Sequence, residues 1–253
     1  MKYKAVIFDL FGTLINNYSI QQHEGVLRQM ASVLAAPSED FVRLWYDTFN
    51  ERCTGVFQNT EANIDYVCQK LGVLVEDSQR SLAARIRLDL TARSMIPVPE
   101  SIAVLSHLKS EGYKTGLVTD CSAEVPAIWQ DTPFAPLFDV AVFSCLVGLK
   151  KPAPRIYRLA MERLGVEPHS CLYIGDGSSQ ELTGAAAVGM HPVLIRDPDE
   201  DSTEVHRVDA EVEEWDGSVI SSLKDVLTLC HLRSDMEGVG KYLSSDNFLK
   251  RRK

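Results

Sequence analysis

Three separate apolar runs in this chain stop at acidic residues. Val6-Ile7-Phe8 ends in Asp9, Leu117-Val118 in Thr119-Asp120, and Leu172-Tyr173-Ile174 in Gly175-Asp176. Glu181 lies five residues beyond Asp176 at a helix start, and Lys151 sits in the loop Gly148-Leu149-Lys150-Lys151-Pro152. Hard oxygen donors of this kind suit Mg²⁺, which takes one or two carboxylates and completes its octahedron with water and substrate phosphate. Lys151 supplies positive charge for an anion, and Thr119 a hydroxyl. Such a set holds a phosphoryl group: metal and lysine neutralise its charge while a carboxylate attacks. Taken alone, Asp9 is equally well an ordinary strand-end acid capping the next turn, so the combination carries the reading.

For these residues to meet, their strands must be parallel, because parallel strands present their carboxyl ends along one edge. Lys4 to Phe8 reads as a strand covered on both faces, turning at Gly12, where a missing Cβ permits a sharp turn or close backbone approach. Residues 17–93 then read as four helices. The first carries Val26, Leu27, Met30 and Leu34 at helical spacing. The second runs from Ser38, a plausible N-cap, through Phe41, Leu44, Trp45 and Phe49. The third follows Thr60, with Ile64, Val67 and Leu71 on one face and Gly72 as its stop, and Leu82, Ile86 and Leu90 mark the fourth.

After Pro97 and Pro99 the pattern changes to alternating helix and strand. Helices are expected over Glu100–Glu111, Pro152–Leu164 and from Asp176 to Gly189, and strands over Lys114–Thr119, Asp139–Phe143, Cys171–Ile174 and Val193–Ile195. A last helix is expected from Trp215 to Leu229. His231–Lys253 reads as a solvated basic tail. The fold expected is α/β, a doubly wound parallel sheet of Rossmann-like form over 1–16 and 94–230. A helical unit over 17–93 is inserted into it.

At 253 residues the chain can bury a substantial core, and 45% apolar with 24% charged residues is ordinary globular composition. A formal net charge of −9 argues against nonspecific binding to nucleic acid or to an anionic membrane. No apolar run is long enough to span a bilayer, and Met1-Lys2-Tyr3-Lys4 leads into a strand without a signal-peptide pattern. Six scattered cysteines form no C-x-x-C and no Cys/His cluster, so free thiols in a reducing cytoplasm are expected rather than zinc or disulfides. Nothing in the sequence specifies an oligomeric state.

Four segments together resemble the motifs of the haloacid dehalogenase (HAD) superfamily. They are Phe8-Asp9-Leu10-Phe11-Gly12-Thr13-Leu14, Leu117-Val118-Thr119-Asp120, Gly148 to Tyr157, and Ile174 to Ala185. They cover the core from residue 3 to about 195, and the helices at 17–93 resemble the cap that one large subfamily inserts after the first motif. The resemblance implies that Asp9 is the nucleophile and forms an aspartyl intermediate. It further implies that Thr119 bonds the transferring group and that Lys151 steadies Asp9 and the substrate anion. Gly12, Thr13 and Asp120 would border the substrate. Asp176 and Glu181 would hold Mg²⁺ with Asp9 and the main-chain carbonyl of Phe11. The substrate class implied is a small phosphorylated metabolite.

Phe11 departs from the phosphatase pattern, which places a second Asp there as acid and base. General acid–base help is worth about 10²–10⁴-fold, so a substitute such as His23 or Glu24 is needed for fast turnover. An aromatic at this position resembles the 2-haloacid dehalogenases, which displace halide without metal, and Asp9, Thr13, Lys151 and Tyr157 fit that pattern also. Three places do not fit it. Thr119-Asp120 stands where those enzymes carry Ser-Asn, Tyr46 stands where they carry an arginine after Leu-Trp, and the Asp176/Glu181 pair is kept. The acidic pair favours a metal. The metal-free dehalogenase and a catalytically weak protein that binds a phosphorylated ligand remain the alternatives. Arg43 and Arg52 are candidate anion clamps, although surface arginines are commoner, and Trp45, Tyr46 and Phe49 read mainly as packing within the helical unit.

Overall fold

Strand β1 (Ala5–Phe8) is wholly buried, and its side chains alternate between two cores. Val6 and Phe8 join one with Leu105, Leu108 and Leu117, while Ala5 and Ile7 join the other with Ile156, Ala160 and Leu182. A strand with period-two side chains and apolar layers on both faces is the centre of an α/β sandwich. The computed structural model describes residues 3–196 and 215–231; the basic tail read at 231–253 otherwise lies outside the described residues.

In chain order β1 is followed by α1 (Ile20–Val33), α2 (Ser38–Asp47), α3 (Phe49–Cys53), α4 (Thr60–Leu71) and α5 (Asp77–Ser94). Then come α6 (Ser101–Ser110), β2 (Lys114–Thr119), α7 (Glu124–Ile128), β3 (Val140–Phe143), α8 (Ser144–Val147) and α9 (Pro154–Leu164). The chain continues with β4 (Cys171–Gly175), α10 (Glu181–Ala187), β5 (His191–Ile195), β6 (Ser218–Ile220) and α11 (Lys224–His231).

Among the described residues, six strands form one parallel sheet in the order β3-β2-β1-β4-β5-β6. Phe8 is in register with Leu117 of β2 and Ile174 of β4, so Asp9 emerges level with the ends of both neighbours. The chain winds outward through β2 and β3, then returns to the far side of β1 as β4. At such a reversal the crossovers leave on opposite faces and open a crevice at the strands' carboxyl ends.

The inserted helices have a core of their own, built on Leu27, Met30, Phe41, Trp45, Ile64 and Val67. Full burial of one such side chain is worth about 1.5–3 kcal/mol, so the unit is held by packing as well as by helix propensity. Ser19 caps α1 by accepting from Gln22 N at 3.1 Å, and Asn59 caps α4 by accepting from Ala62 N at 2.9 Å.

Several local expectations are corrected. Ser38 is the first helical residue rather than the cap, and Pro37 precedes it with no side-chain cap bond. The second helix breaks at Thr48, whose hydroxyl turns back to the Trp45 carbonyl at 2.9 Å, leaving Phe49–Cys53 as a separate turn. The helix expected from Trp215 to Leu229 is instead a strand followed by a helix. Ser218-Val219-Ile220 pairs with Val193–Ile195 along the sheet edge, and Ile220 of the strand, Val226 of the helix and Leu223 between them reach the core. A β-branched pair beside an open parallel edge gains a ladder of hydrogen bonds that spacing alone does not reveal.

Candidate active site

The turn after β1 is set by backbone bonds. Asp9 N donates to Ile174 O at 2.9 Å, extending the ladder by one residue, and Gly12 N then donates to Ile15 O at 2.8 Å. Gly12 has φ +75, and a Cβ there would lie 2.3 Å from Asp176 Oδ2. Only glycine lets this turn press against the acid at the end of β4. Asp176 is held from two sides. Its Oδ1 accepts from Ser178 N at 2.9 Å and Ser178 Oγ at 2.5 Å, and Oδ2 from Asn17 Nδ2 at 3.3 Å.

Glu181 returns to the same point because Ser179 and Gln180 both take left-handed backbone, φ 56 and 51. Two successive non-glycine residues in that region are strained, and the bonds around them hold the turn in place. Glu181 Oε1 accepts from Gly177 N at 3.0 Å, and Oε2 accepts from Tyr173 OH at 2.8 Å and from Lys151 Nζ at 2.5 Å. Tyr157 OH donates to the Glu181 carbonyl at 3.0 Å, so this buried tyrosine props the site from beneath.

Lys151 is the hub. Its ammonium also donates to Asp9 Oδ1 at 2.6 Å, and its backbone N–H donates to Asp120 Oδ1 at 3.0 Å. Asp120, expected to border the substrate, does line the cavity, and it also positions the lysine loop. Oxygens of Asp9, Asp176 and Glu181 all lie within 4.8 Å of one another, and all three residues are buried. Burial, with Asp176 adding to it and Lys151 opposing it, pushes the Asp9 carboxyl up to about 6. Burial likewise pushes Glu181 up to about 8 against the pull of Lys151. Burial also disfavours the Lys151 ammonium, yet Asp9 and Glu181 hold it well above its ordinary value. The cluster is therefore short of positive charge.

The other expected residues divide. Thr119 is fully buried at the end of β2, and its Oγ1 has no hydrogen-bond partner among the described residues. Thr13 is buried too, with an unpartnered Oγ1, but with Gly12 it borders a different groove, beside Asn16, Pro99 and Ser222. Phe11 lines the site cavity and packs on Tyr18 with ring centroids 5.5 Å apart.

That cavity has a volume of about 100 Å³ and runs from Asp9 and Lys151 to the inserted helices. His23 lines it, buried, with Nδ1 3.0 Å from Tyr46 OH, whereas Glu24 is tied to Arg28 at 2.9 Å outside it. Arg52 lines it as well, 6% exposed, while Arg43 is an exposed partner of Asp40. Trp45 is core packing, as expected, whereas Phe49 reaches the cavity wall. Cys121 also faces the cavity, and burial pushes its thiol up rather than activating it.

Sequence reasoning missed Asn17, Tyr173, Arg87 and Glu124. Tyr173 hides inside an apolar strand, and the rest match no motif. A charged residue amid a helix's apolar positions, as Arg87 is between Ala84 and Leu90, was the one signal on offer.

Comparison with known proteins agrees with this geometry. A glyceraldehyde 3-phosphate phosphatase of Methanopyrus kandleri is 28% identical over 200 residues, covering 76% of this chain and 84% of that protein. An (S)-2-haloacid dehalogenase of Pseudomonas sp. (strain CBS-3) is 22% identical over 198 residues, with coverages of 76% and 84%. The crystal structure of a HAD phosphatase from Thermococcus onnurineus superposes with a TM-score of 0.61 at 22% identity, covering 90% of this chain and 98% of that one. The family model of haloacid dehalogenase-like hydrolases matches residues 3–189. The chain is an enzyme of the haloacid dehalogenase-like hydrolase family.

Proposed function

We propose that this hydrolase is a Mg²⁺-dependent phosphatase acting on small phosphomonoesters. The observation that carries the reading is the buried cluster of Asp9, Asp176 and Glu181, with Lys151 as its ammonium. A carboxylate substrate entering such a cluster without a cation would be repelled, whereas a metal-bound phosphoryl group meets matched charge. The donor set fits a hard cation, and the missing Cβ of Gly12 keeps Asp176 Oδ2 clear of the turn. Asp9, Asp176 and the Phe11 carbonyl are the proposed ligands. Glu181 supplies charge to the set while holding Lys151. Bound there, the metal would act as a Lewis acid on the phosphoryl oxygens.

Lys151 fixes one oxygen of Asp9, and the other attacks phosphorus. The P–O bond to the leaving alcohol breaks as the Asp–phosphate bond forms. Water then cleaves that acyl phosphate, releasing phosphate and regenerating the carboxylate. Thr119 Oγ1, buried and unpartnered, is the proposed donor to the transferring group. With Phe11 unable to exchange a proton, His23 is the group we assign to protonate the leaving alkoxide, because it lines the cavity and Glu24 does not. The relative named as a glyceraldehyde 3-phosphate phosphatase supports a small phosphorylated metabolite as substrate.

The test is phosphate release from a panel of phosphomonoesters with and without EDTA, on the parent and on Asp9→Asn. Expected is turnover that EDTA and Asp9→Asn both abolish; turnover indifferent to EDTA would count against the proposal. Phe11 beside Asp9 favours one rival, a halide-releasing enzyme. Chloride release from 2-chloropropionate in the presence of EDTA would establish it instead.

A further inference from the structure

The far end of the cavity, away from Asp9, is built from buried positive charge that the chemistry above does not use. Arg52 of α3 and Arg87 of α5 both line it and are only 6% and 5% exposed. Both guanidiniums lie against Trp45, 4.9 and 5.9 Å from its ring centroid, and Arg87 also faces the Tyr18 ring at 5.6 Å. Arg52 is anchored by its Nη1, which donates to the Trp45 carbonyl and, at 2.7 Å, to Thr48 Oγ1. Arg87 is less engaged. Its Nε stands 3.6 Å from Glu124 Oε1, too far for a hydrogen bond, and neither Nε nor Nη1 has a hydrogen-bond partner among the described residues.

Two buried guanidiniums thus share one buried carboxylate, Glu124 of α7. Half-buried Glu51 acts more weakly on Arg52, and Asp120 is engaged by the Lys151 backbone. Burial and the neighbouring Arg87 push the Arg52 guanidinium down to about 10. A surplus buried cation is costly unless something anionic completes it. Two guanidinium side chains in the wall of one cavity offer planar sets of N–H groups that match a carboxylate in geometry.

Resting on the phosphatase reading above, we propose that Arg52 and Arg87 form a carboxylate subsite, and that the preferred substrates are small phosphomonoesters bearing a carboxylate. Two guanidiniums beside the single carboxylate of Glu124 favour an anionic tail at this end. The aromatic walls of Tyr18 and Phe49 exclude water and sharpen the preference for a charged tail over a hydroxyl. Asp9 and Lys151 line the same cavity as Arg52 and Arg87, so one small ligand can present an anion to each end.

The test is equilibrium binding by titration calorimetry in Mg²⁺ buffer, on Asp9→Asn protein so that nothing turns over. Matched probes are 3-phosphoglycerate against glycerol 3-phosphate, and phosphoglycolate against 2-hydroxyethyl phosphate. Charge-assisted bonds from a buried guanidinium are worth a factor of about 10–100, so at least one carboxylate probe is expected to bind tighter than its partner by that ratio. Adding Arg87→Lys keeps the charge and the Glu124 pair but removes the fork, and lowers the ratio about tenfold. Arg52→Met lowers it as well while leaving the Arg87–Glu124 pair intact. Equal binding within both pairs, or a ratio that neither variant moves, overturns the subsite yet leaves the phosphatase reading standing. Failure of the parent protein, with Asp9 in place, to bind inorganic phosphate in the same Mg²⁺ buffer overturns both.

Discussion

Replacing Lys151 by Met tests whether the cluster is held by one ammonium. The side chain keeps its apolar stem and loses its ammonium, so Asp9 Oδ1 and Glu181 Oε2 forfeit donors at 2.6 and 2.5 Å in a site where all three side chains are at most 4% exposed. Removing one partner of a buried ion pair costs about 3–5 kcal/mol, because the remaining charge cannot reach water. With a urea slope near 3 kcal/mol per molar, the unfolding midpoint should fall by about 1–2 M.

The deficit should depend on pH in a stated direction. Asp9 is already lifted to about 6 by burial while Lys151 holds it down, so losing the lysine lifts it further. A carboxyl whose value is raised in the folded state binds its proton more tightly folded than unfolded. Its contribution to stability therefore declines as pH rises from the unfolded value, about 4, through the folded one. Without Lys151 that decline extends to higher pH, so the gap between variant and parent widens from pH 5 to pH 8. Urea melts at both pH values, with EDTA throughout, measure it. A deficit under about 1 kcal/mol, or one equal at the two pH values, would refute the buried-pair account.

Three other substitutions probe separate links. Gly12→Ala forces a side chain onto φ +75 and a Cβ to within 2.3 Å of Asp176 Oδ2; we expect a loss of about 1–3 kcal/mol in stability and at least tenfold weaker Mg²⁺ binding by calorimetry. Phe11→Asp places a titratable group beside the proposed nucleophile Asp9 and should raise phosphate release by up to about 10²–10⁴-fold, while an unchanged or lower rate in a folded variant would show that the proton path lies elsewhere. At the start of α5, Gln79→Ala removes the bond in which Glu76 N donates to Gln79 Oε1 at 3.1 Å, half of a capping box. The expected cost is about 0.5–1 kcal/mol in a thermal melt, with no change in turnover.

Much of the site was legible because its members stand where patterns change. Asp9, Asp120 and Asp176 each end an apolar run, and a parallel sheet brings such ends to one edge whatever the loops do. The strands β1 to β5 and the longer helices between them follow from periodicity and from glycine and proline punctuation, whereas the short turns α3, α7 and α8 carry no such signal. Where two structures suit one pattern, reading fails: Val219, Leu223 and Val226 fit a helix, yet the open edge of β5 draws Ser218–Ile220 into the sheet.

Residue type and order by themselves determined the family, the doubly wound core and the inserted helices, and singled out Asp9, Lys151, Asp176 and Glu181 as the candidate site. These are matters of local periodicity and of chemistry that few side chains can do. Only the tertiary structure decided what surrounds them. That Glu181 is a clasp on Lys151, that Asp120 positions the lysine loop, that His23 faces the cavity while Glu24 does not, and that Arg52 and Arg87 share one carboxylate all depend on contacts between residues distant in sequence. Burial turns those contacts into charge imbalance, and burial is a property of the packed molecule rather than of any segment of it.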